Sequence, residues 1–393
     1  MSPRIAGMGW VTPLGRGIDA VWNRLVAGEE ASAQSISDGP EGKKYPFFPV
    51  PSTALKNLPP HPRLRRASVI SRFAAAASLD ALEEAILTGN RGHAKAFDFD
   101  NSGVRREQRI DMERIALVFA VSNGGVVYTK RFYRDITESG VQSASPLLFP
   151  ETVFNAPASH LAAILGVSGA SYTLVGDGAV GILAMKMAED LMMNEALDFC
   201  LVVGAEESDW LLCDAYRKWR LLKMQPPIEP FRHPPRGMIL SEGAGAILLA
   251  RDGPIVVDKI HAGANFSRRK EASEPIVRIL SDLADDRSKI LIASANGTFV
   301  DLAEETALLR EMSDATIYSL KPALGESVGA SAIWQVIVAA QSLRTKRLPP
   351  LLHVDPGNAG KISLSSGKGT SAGTGIVLSC GLNQQVAGLR LSI

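Results

Sequence analysis

Apolar and polar positions alternate along the chain in a repeating rhythm. Short apolar runs at 4–8, 115–121, 172–175, 199–203 and 246–250, and again at 255–262, 290–295, 317–320 and 375–379, read as strands. Between them, helical spacing predicts a helix over 18–27, with Val21, Trp22 and Leu25 on one side, and an alanine-rich helix over 71–87. Further helices are predicted through His160 and Leu165, from a glycine turn at 176–181 through Met193, and over 276–285, 302–312 and 328–344. Residues 12–15 (TPLG) form a turn, 34–62 an irregular excursion rich in Gly, Pro and Ser, and 137–151 a loop. Strands alternating with helices throughout place the chain in the α/β class. The rhythm repeats in two halves, divided here as 1–252 and 253–393.

The glycine turn carries the first chemical question. In "TLVGDGAVGILAM" (173–185), Gly176, Gly178 and Gly181 complete a GxGxxG between a strand and a helix. A dinucleotide-binding turn also needs an early βαβ unit and an acidic residue closing the second strand, about 20 residues on. The following strand, "FCLVVGAEE", offers Glu206 and Glu207, but at a longer separation, and the motif lies mid-chain. Three glycines alone are a weak signal.

Composition removes several function classes. Hydrophobic residues make up 46% and charged residues 21% of 393 positions, enough for a sizeable core. A formal net charge of +1 argues against a nucleic-acid protein with a basic face. The small cluster Arg63, Arg65 and Arg66 reads as a solvated face, with docking of an acidic partner as the alternative. Cys200, Cys213 and Cys380 are odd in number and lack CxxC spacing, which fits a reducing compartment without a disulfide or metal framework. With no secretory h-region in residues 1–9 and no membrane-length apolar run, the expectation is a soluble, cytoplasmic protein.

Longer blocks carry a more specific signal. "RIAGMGWVTPLGRGIDAVWNRLVAGE" opens the chain, and "SPLLFPETVFNAPASHLAAILGVSGASYTL" leads to the glycine turn. "EPFRHPPRGMILSEGAGAILL", "ASANGTFVD" and "YSLKPALGESVGASA" follow in order. Together they resemble the β-ketoacyl-acyl-carrier-protein synthases (ketosynthases), the condensing enzymes of fatty acid and polyketide synthesis. The resemblance implies a thiolase-like fold of duplicated halves in an αβαβα arrangement, each half ketosynthase-like. It implies no cofactor and no metal.

The same resemblance places the family's nucleophilic cysteine at Gly178. A helix N-terminus lowers a thiol's pKa and offers N–H groups to an oxyanion, but glycine has nothing to acylate. The two family histidines, which stabilise the enolate formed by decarboxylation, fall at Asn296 and Glu326. The family lysine is retained as Lys321. The gating phenylalanine falls at Lys368 or Gly369, in "SSGKGTSAGTG".

A ketosynthase so altered is similar to a chain-length factor. Such proteins pair with an active ketosynthase and serve chains carried on acyl carrier protein, in type II polyketide or fatty-acid-like elongation. Aromatic-polyketide factors usually carry Gln at the cysteine position, so the pathway stays open, with a reducing type II system as one option. The alternatives are a repurposed acyl-transfer, hydrolase or cyclase enzyme using Asp177, Asn296 and Glu326, and a homodimeric scaffold binding acyl carrier protein or lipid.

By the same resemblance, Ser171, Tyr172, Thr173, Leu174 and Val175 are expected at a two-fold subunit interface. Val126, Val127, Tyr128 and Phe132 are expected near the partner's acyl tunnel, or else simply packed after strand 115–121. Asp177 is expected to cap the following helix, and Glu326 to neutralise Lys321 or cap the helix near Ser327. His160 is expected to be structural, since no partner for it is evident, and Cys200 to be inert core.

Overall fold

The computed structural model describes residues 2–37, 39, 42–65, 67–88, 111–354 and 362–393. Arg66 lies outside the described residues.

Two sets of five strands form the frame. The first set is β1 (Arg4–Thr12), β2 (Ile115–Val121), β3 (Ser171–Val175), β4 (Phe199–Glu206) and β5 (Gly243–Ala250). The second is β6 (Ile255–Asn265), β7 (Ser288–Ile292), β8 (Thr316–Tyr318), β9 (Thr374–Cys380) and β10 (Gln385–Ser392). Their spatial orders are β1-β5-β4-β2-β3 and β6-β10-β9-β7-β8. The pairings repeat as well: antiparallel, antiparallel, parallel and parallel in each set. The repeated rhythm of the sequence is therefore a repeated topology. The sets join edge to edge where Arg4 pairs with Val256 and Ile5 with Ile255.

The helices are α1 (Ile18–Val26), α2 (Val69–Thr88), α3 (Val126–Ser139), α4 (Ala156–Leu165), α5 (Val180–Leu191), α6 (Trp210–Lys218), α7 (Ser273–Leu283), α8 (Phe299–Glu311) and α9 (Ser331–Thr345). α5 and α9 touch each other and strands of both sets, so they form the central layer. α2 and α4 cover the outer face of the first set, and α7 covers that of the second, with α8 packed on α7. These are the αβαβα layers expected of a thiolase-like fold.

The apolar runs follow from this layering. All of β2 is buried. Ala116, Val118 and Ala120 face the central core, whereas Leu117, Phe119 and Val121 face the core under α2. A strand covered on both faces reads as an unbroken apolar run. The alanines of α2 let it lie directly on β1. A Cβ at Gly7 would stand 2.0 Å from the Ala81 carbonyl oxygen, and one at Gly9 2.0 Å from that of Ala77, so both must be glycine. The same logic explains the last glycine of the GxGxxG. A Cβ at Gly181 would meet Ala332 Cβ at 2.9 Å, so this glycine serves the α5–α9 contact.

Several elements depart from the sequence reading. The excursion 34–62 contains strands Gln34–Ile36 and Tyr45–Phe48, which form a small sheet with Leu240–Ser241. Residues read as loop or left unassigned form α3, α6 and β10. Phe132 is the one buried residue of α3. Among the described residues, no helix is long and apolar enough to cross a membrane.

Candidate functional site

Loops following the parallel strands of both sets converge, as open α/β sheets arrange at the carboxyl ends of their strands. β3 ends in Gly176, Asp177 and Gly178, and α5 begins at Val180. Gly178 is buried beneath the loop joining β9 to β10. A Cβ there would lie 3.3 Å from Gly381 Cα and 3.8 Å from the Cys380 oxygen. Ser379 Oγ donates to the Gly178 carbonyl at 2.9 Å.

Asp177 binds this loop. Its Oδ1 accepts the Gly178 N–H at 2.8 Å, and its Oδ2 accepts those of Asn383 at 2.6 Å and Gln384 at 3.3 Å. The Asp177 N–H in turn donates to Gln385 Oε1 at 3.3 Å. Asp177 is thus not the N-cap of α5 that was expected. Ala179 holds that position without a side-chain bond, and the Asp177 carboxylate joins two loops instead.

The loop over the turn also corrects the expected gate. The run 365–375, with Lys368 and Gly369, packs against residues 346–350 through the Arg347–Gly369 and Pro350–Ser366 bridges. The loop at the site is 381–384, with Leu382 buried. Its sequence signal was a polar "NQQ" after Gly381, between two apolar runs, which is a hairpin pattern.

Asn296, Lys321 and Glu326 meet in a second, fully buried cluster. Lys321 Nζ lies 2.6 Å from both Glu326 oxygens. Glu326 Oε1 also accepts from Ser331 Oγ at 2.7 Å and the Val328 N–H at 3.0 Å, and Oε2 from Asn296 Nδ2 at 2.8 Å. Burial acts to raise the Glu326 carboxyl, but the Lys321 charge and these hydrogen bonds hold it below the usual carboxylate range. Neutralisation of Lys321, anticipated from sequence, is therefore what Glu326 does.

The chemistry of this cluster is the reverse of what decarboxylative condensation needs. An enolate requires donors or positive charge. Here Glu326 contributes a carboxylate, and it consumes the amide donor of Asn296 and the charge of Lys321. Asn296 Oδ1 is spent on Thr298 Oγ1 at 2.6 Å, and the Asn296 N–H on Asp301 Oδ1 at 2.8 Å. Among the described residues, no hydrogen bond joins Asp177 to Asn296 or Glu326.

Glu206 and Glu207, candidates only under the dinucleotide reading, are internal struts. Glu206 accepts N–H groups from Ser122 at 3.0 Å, Asn123 at 3.1 Å and Gly329 at 3.3 Å, tying loops of both halves together. Burial pushes its carboxyl up to about 8 despite these bonds. Glu207 accepts the Val127 N–H at 2.8 Å. No cysteine supplies a replacement nucleophile: all three are buried, and burial pushes the thiols of Cys200 and Cys213 up to about 12. His160, expected to be structural, has its Nε2 2.6 Å from Glu151 Oε1.

A cleft of about 550 Å³ opens beside the turn, lined by Val175, Asp177, Tyr216, Trp219, Arg269 and Gln384 among others. Sequence reading did not find Tyr216, Trp219 or Arg269, because they lie on α6, at its end and 50 residues further on, and are brought together only by the fold.

The outer edge of the first sheet is β3. Among the described residues it pairs only with β2. Ser171, Tyr172 and Val175 are exposed, and Thr173 and Leu174 are half-buried. Among the described residues, nine of the 17 exposed large hydrophobic residues lie between Val127 and Val175, on α3, on the segment 141–154 and on β3. Val126 and Tyr128 are half-buried and Val127 is exposed on the first turn of α3. Phe132 is buried, with its ring 5.8 Å from that of Phe149 and 5.6 Å from that of Tyr133.

Comparison with known proteins follows this geometry. The family profile "Beta-ketoacyl synthase, N-terminal domain" matches residues 60–253, and "Beta-ketoacyl synthase, C-terminal domain" matches residues 257–355. The chain is 22% identical over 383 residues to the chloroplastic 3-oxoacyl-acyl-carrier-protein synthase I of Arabidopsis thaliana, covering 89% of this chain and 77% of that protein. A β-ketoacyl synthase from Burkholderia phymatum superposes with a TM-score of 0.83 at 18% identity, covering 100% of this chain and 99% of that one. A ketosynthase solved in complex with its chain length factor, from Xenorhabdus doucetiae, gives a TM-score of 0.79 at 18% identity, with coverages of 100% and 98%. At these identities the structural likeness establishes the thiolase-like fold.

Proposed function

The chain belongs to the β-ketoacyl synthase family, and from that premise we propose that it is a non-condensing subunit of the chain-length-factor type. It pairs with an active ketosynthase and helps shape the space into which a chain carried on acyl carrier protein grows. The observation that carries this reading is the turn itself: Gly178 stands where the nucleophile is required, and the neighbouring Cys380 thiol is buried with its pKa raised. The Lys321–Glu326–Asn296 cluster supports it, because a saturated carboxylate cannot replace imidazole donors. The repurposed-enzyme reading loses support from the same geometry, since Asp177 is bound to loop 381–384 and Glu326 to Lys321.

In this reading the two ketosynthase-like halves, 1–252 and 253–393, supply opposite sides of one emptied site. β3 is covered by the partner ketosynthase, because an exposed strand edge is otherwise a pairing hazard. Val126, Val127, Tyr128 and Phe132 contribute to the partner's tunnel from α3. The test is carbon dioxide release from malonyl-acyl carrier protein by the purified chain. The expected result is release at the uncatalysed rate, for the native chain and for Gly178→Cys alike, because Asn296 and Glu326 persist. Release at the rate of an intact ketosynthase would refute the proposal.

A further inference from the structure

We infer that Asp177 is an internal plug: its carboxylate occupies the amide cradle between the glycine turn and loop 381–384, the place where the carbonyl oxygen of an acyl group attached at residue 178 would be received. Three N–H groups bind the two oxygens of this carboxylate: Gly178 donates to Oδ1 at 2.8 Å, and Asn383 and Gln384 donate to Oδ2 at 2.6 and 3.3 Å. They come from two elements more than 200 residues apart in the chain, so the cradle exists only in the folded protein. N–H groups that receive a carboxylate oxygen receive an oxyanion by the same chemistry. The tethered carboxylate and an acyl oxyanion therefore compete for one set of donors.

The surrounding residues are fitted to the plug. A Cβ at residue 381 would stand 2.1 Å from Asp177 Oδ2, so glycine is required there. Gln385 Oε1 accepts the Asp177 N–H, and Ser379 Oγ fixes the Gly178 carbonyl. The site is thus closed to acyl chemistry twice: by the missing sulfur, and by a fixed negative charge on the donors that would activate a sulfur. This second closure holds whichever partner the chain takes.

Three variants of the full chain separate the sulfur from the plug: Gly178→Cys, Asp177→Ala/Gly178→Cys and Asp177→Asn/Gly178→Cys. Iodoacetamide alkylation, in which the thiolate displaces iodide and forms a C–S bond, is followed by intact mass across a pH series. Cys200, Cys213 and Cys380 give little background, being buried with raised thiol pKa values. The titratable and charged groups around residue 178 are Asp177 on the turn, Tyr216 on α6, Cys380 on β9 and Arg269 across the cleft, with Glu206, Asp301, Glu304, Glu326 and Lys321 behind them.

With the plug in place the new thiol stays protonated. With the negative charge removed, and in the alanine variant the N–H groups freed as well, the thiolate is favoured. The expected result is a midpoint lower by about one unit, and alkylation near neutral pH about tenfold faster, in both double variants than in Gly178→Cys. Asp177→Asn keeps the side-chain shape and removes the charge, so it carries the test if the alanine variant fails to fold. Coincident midpoints in all three variants would overturn the inference, as would absence of alkylation in all of them. A merely structural Asp177 would lower the melting temperature of the double variants and leave the midpoint unmoved, which also overturns it.

Discussion

The two loops that follow the third strand of each half have diverged in opposite ways. After β3, the chain passes Gly178, where a side chain is absent. After β8, it passes Lys321 and reaches Glu326, where a buried charge is added and compensated by Lys321, Asn296 and Ser331. One site is emptied and the other refilled. An emptied position places few demands on its neighbours, whereas a refilled one becomes part of the fold's stability. The residue types at these positions therefore predict different responses to mutation.

The largest effect is expected at the refilled site. Glu326→Ala leaves the Lys321 ammonium buried without its partner, and removing one member of a buried pair costs about 3–5 kcal/mol. Glu326→His, which restores the family residue, removes the same counter-charge and is expected to destabilise comparably in urea denaturation. If Glu326→His were as stable as the native chain, the cluster would not be the strut described here.

Two glycines of the same turn sharpen the contrast. Gly181→Ala drives a methyl group to 2.9 Å from Ala332 Cβ, an overpacking expected to cost roughly 1–3 kcal/mol. Gly178→Ala meets Gly381 Cα at 3.3 Å and the Cys380 oxygen at 3.8 Å, and is expected to cost less than about 1 kcal/mol, near the range of uncritical substitutions. Thermal unfolding of the pair checks the order. Equal losses would mean that residue 178 is glycine for packing reasons and that the emptied-site account is wrong.

Two buried glutamates, Glu206 and Glu326, differ in the sign of their pH dependence. Glu206 titrates higher folded, at about 8, than unfolded, because of burial. The folded chain then binds more protons than the unfolded chain between about pH 4.3 and 8, and stability falls as pH rises through that window. Glu326 has its folded pKa depressed, so its contribution is present above the unfolded value and lost as pH falls through the folded one. Glu206→Gln is expected to flatten the alkaline side of the melting-temperature profile. An unchanged alkaline slope in that variant would show that Glu206 stays ionised on its three N–H partners.

Much of the fold was legible because its strands are covered on both faces. β2, β4 and β5 read as unbroken apolar runs, and the alanines of α2 announced a closely packed helix. α3 was not assigned because its apolar positions are sparse among charged ones, and only Phe132 is buried. β10 escaped because Gly388 and Arg390 interrupt its apolar run. At the site, Gly178, Asn296 and Glu326 were legible from residue type within motifs, as was the pairing of Glu326 with Lys321, five residues apart. The Asp177 contact with Asn383 was not, because no local pattern reports a bond across 206 residues. The glycine-rich run 365–375 drew the expected gate away from loop 381–384 for a related reason: the loop at the site carries a single glycine and is recognised only by what it touches.

The central claim is that this chain carries no acyl group of its own, and intact-mass spectrometry tests it most directly. The purified chain, alone and copurified with a ketosynthase partner, is incubated with acyl-acyl carrier protein and weighed. The account predicts the unmodified mass for this chain in both cases, with any acyl adduct on the partner. A stoichiometric acyl adduct on this chain, mapped to any residue of the turn 176–181, would contradict it.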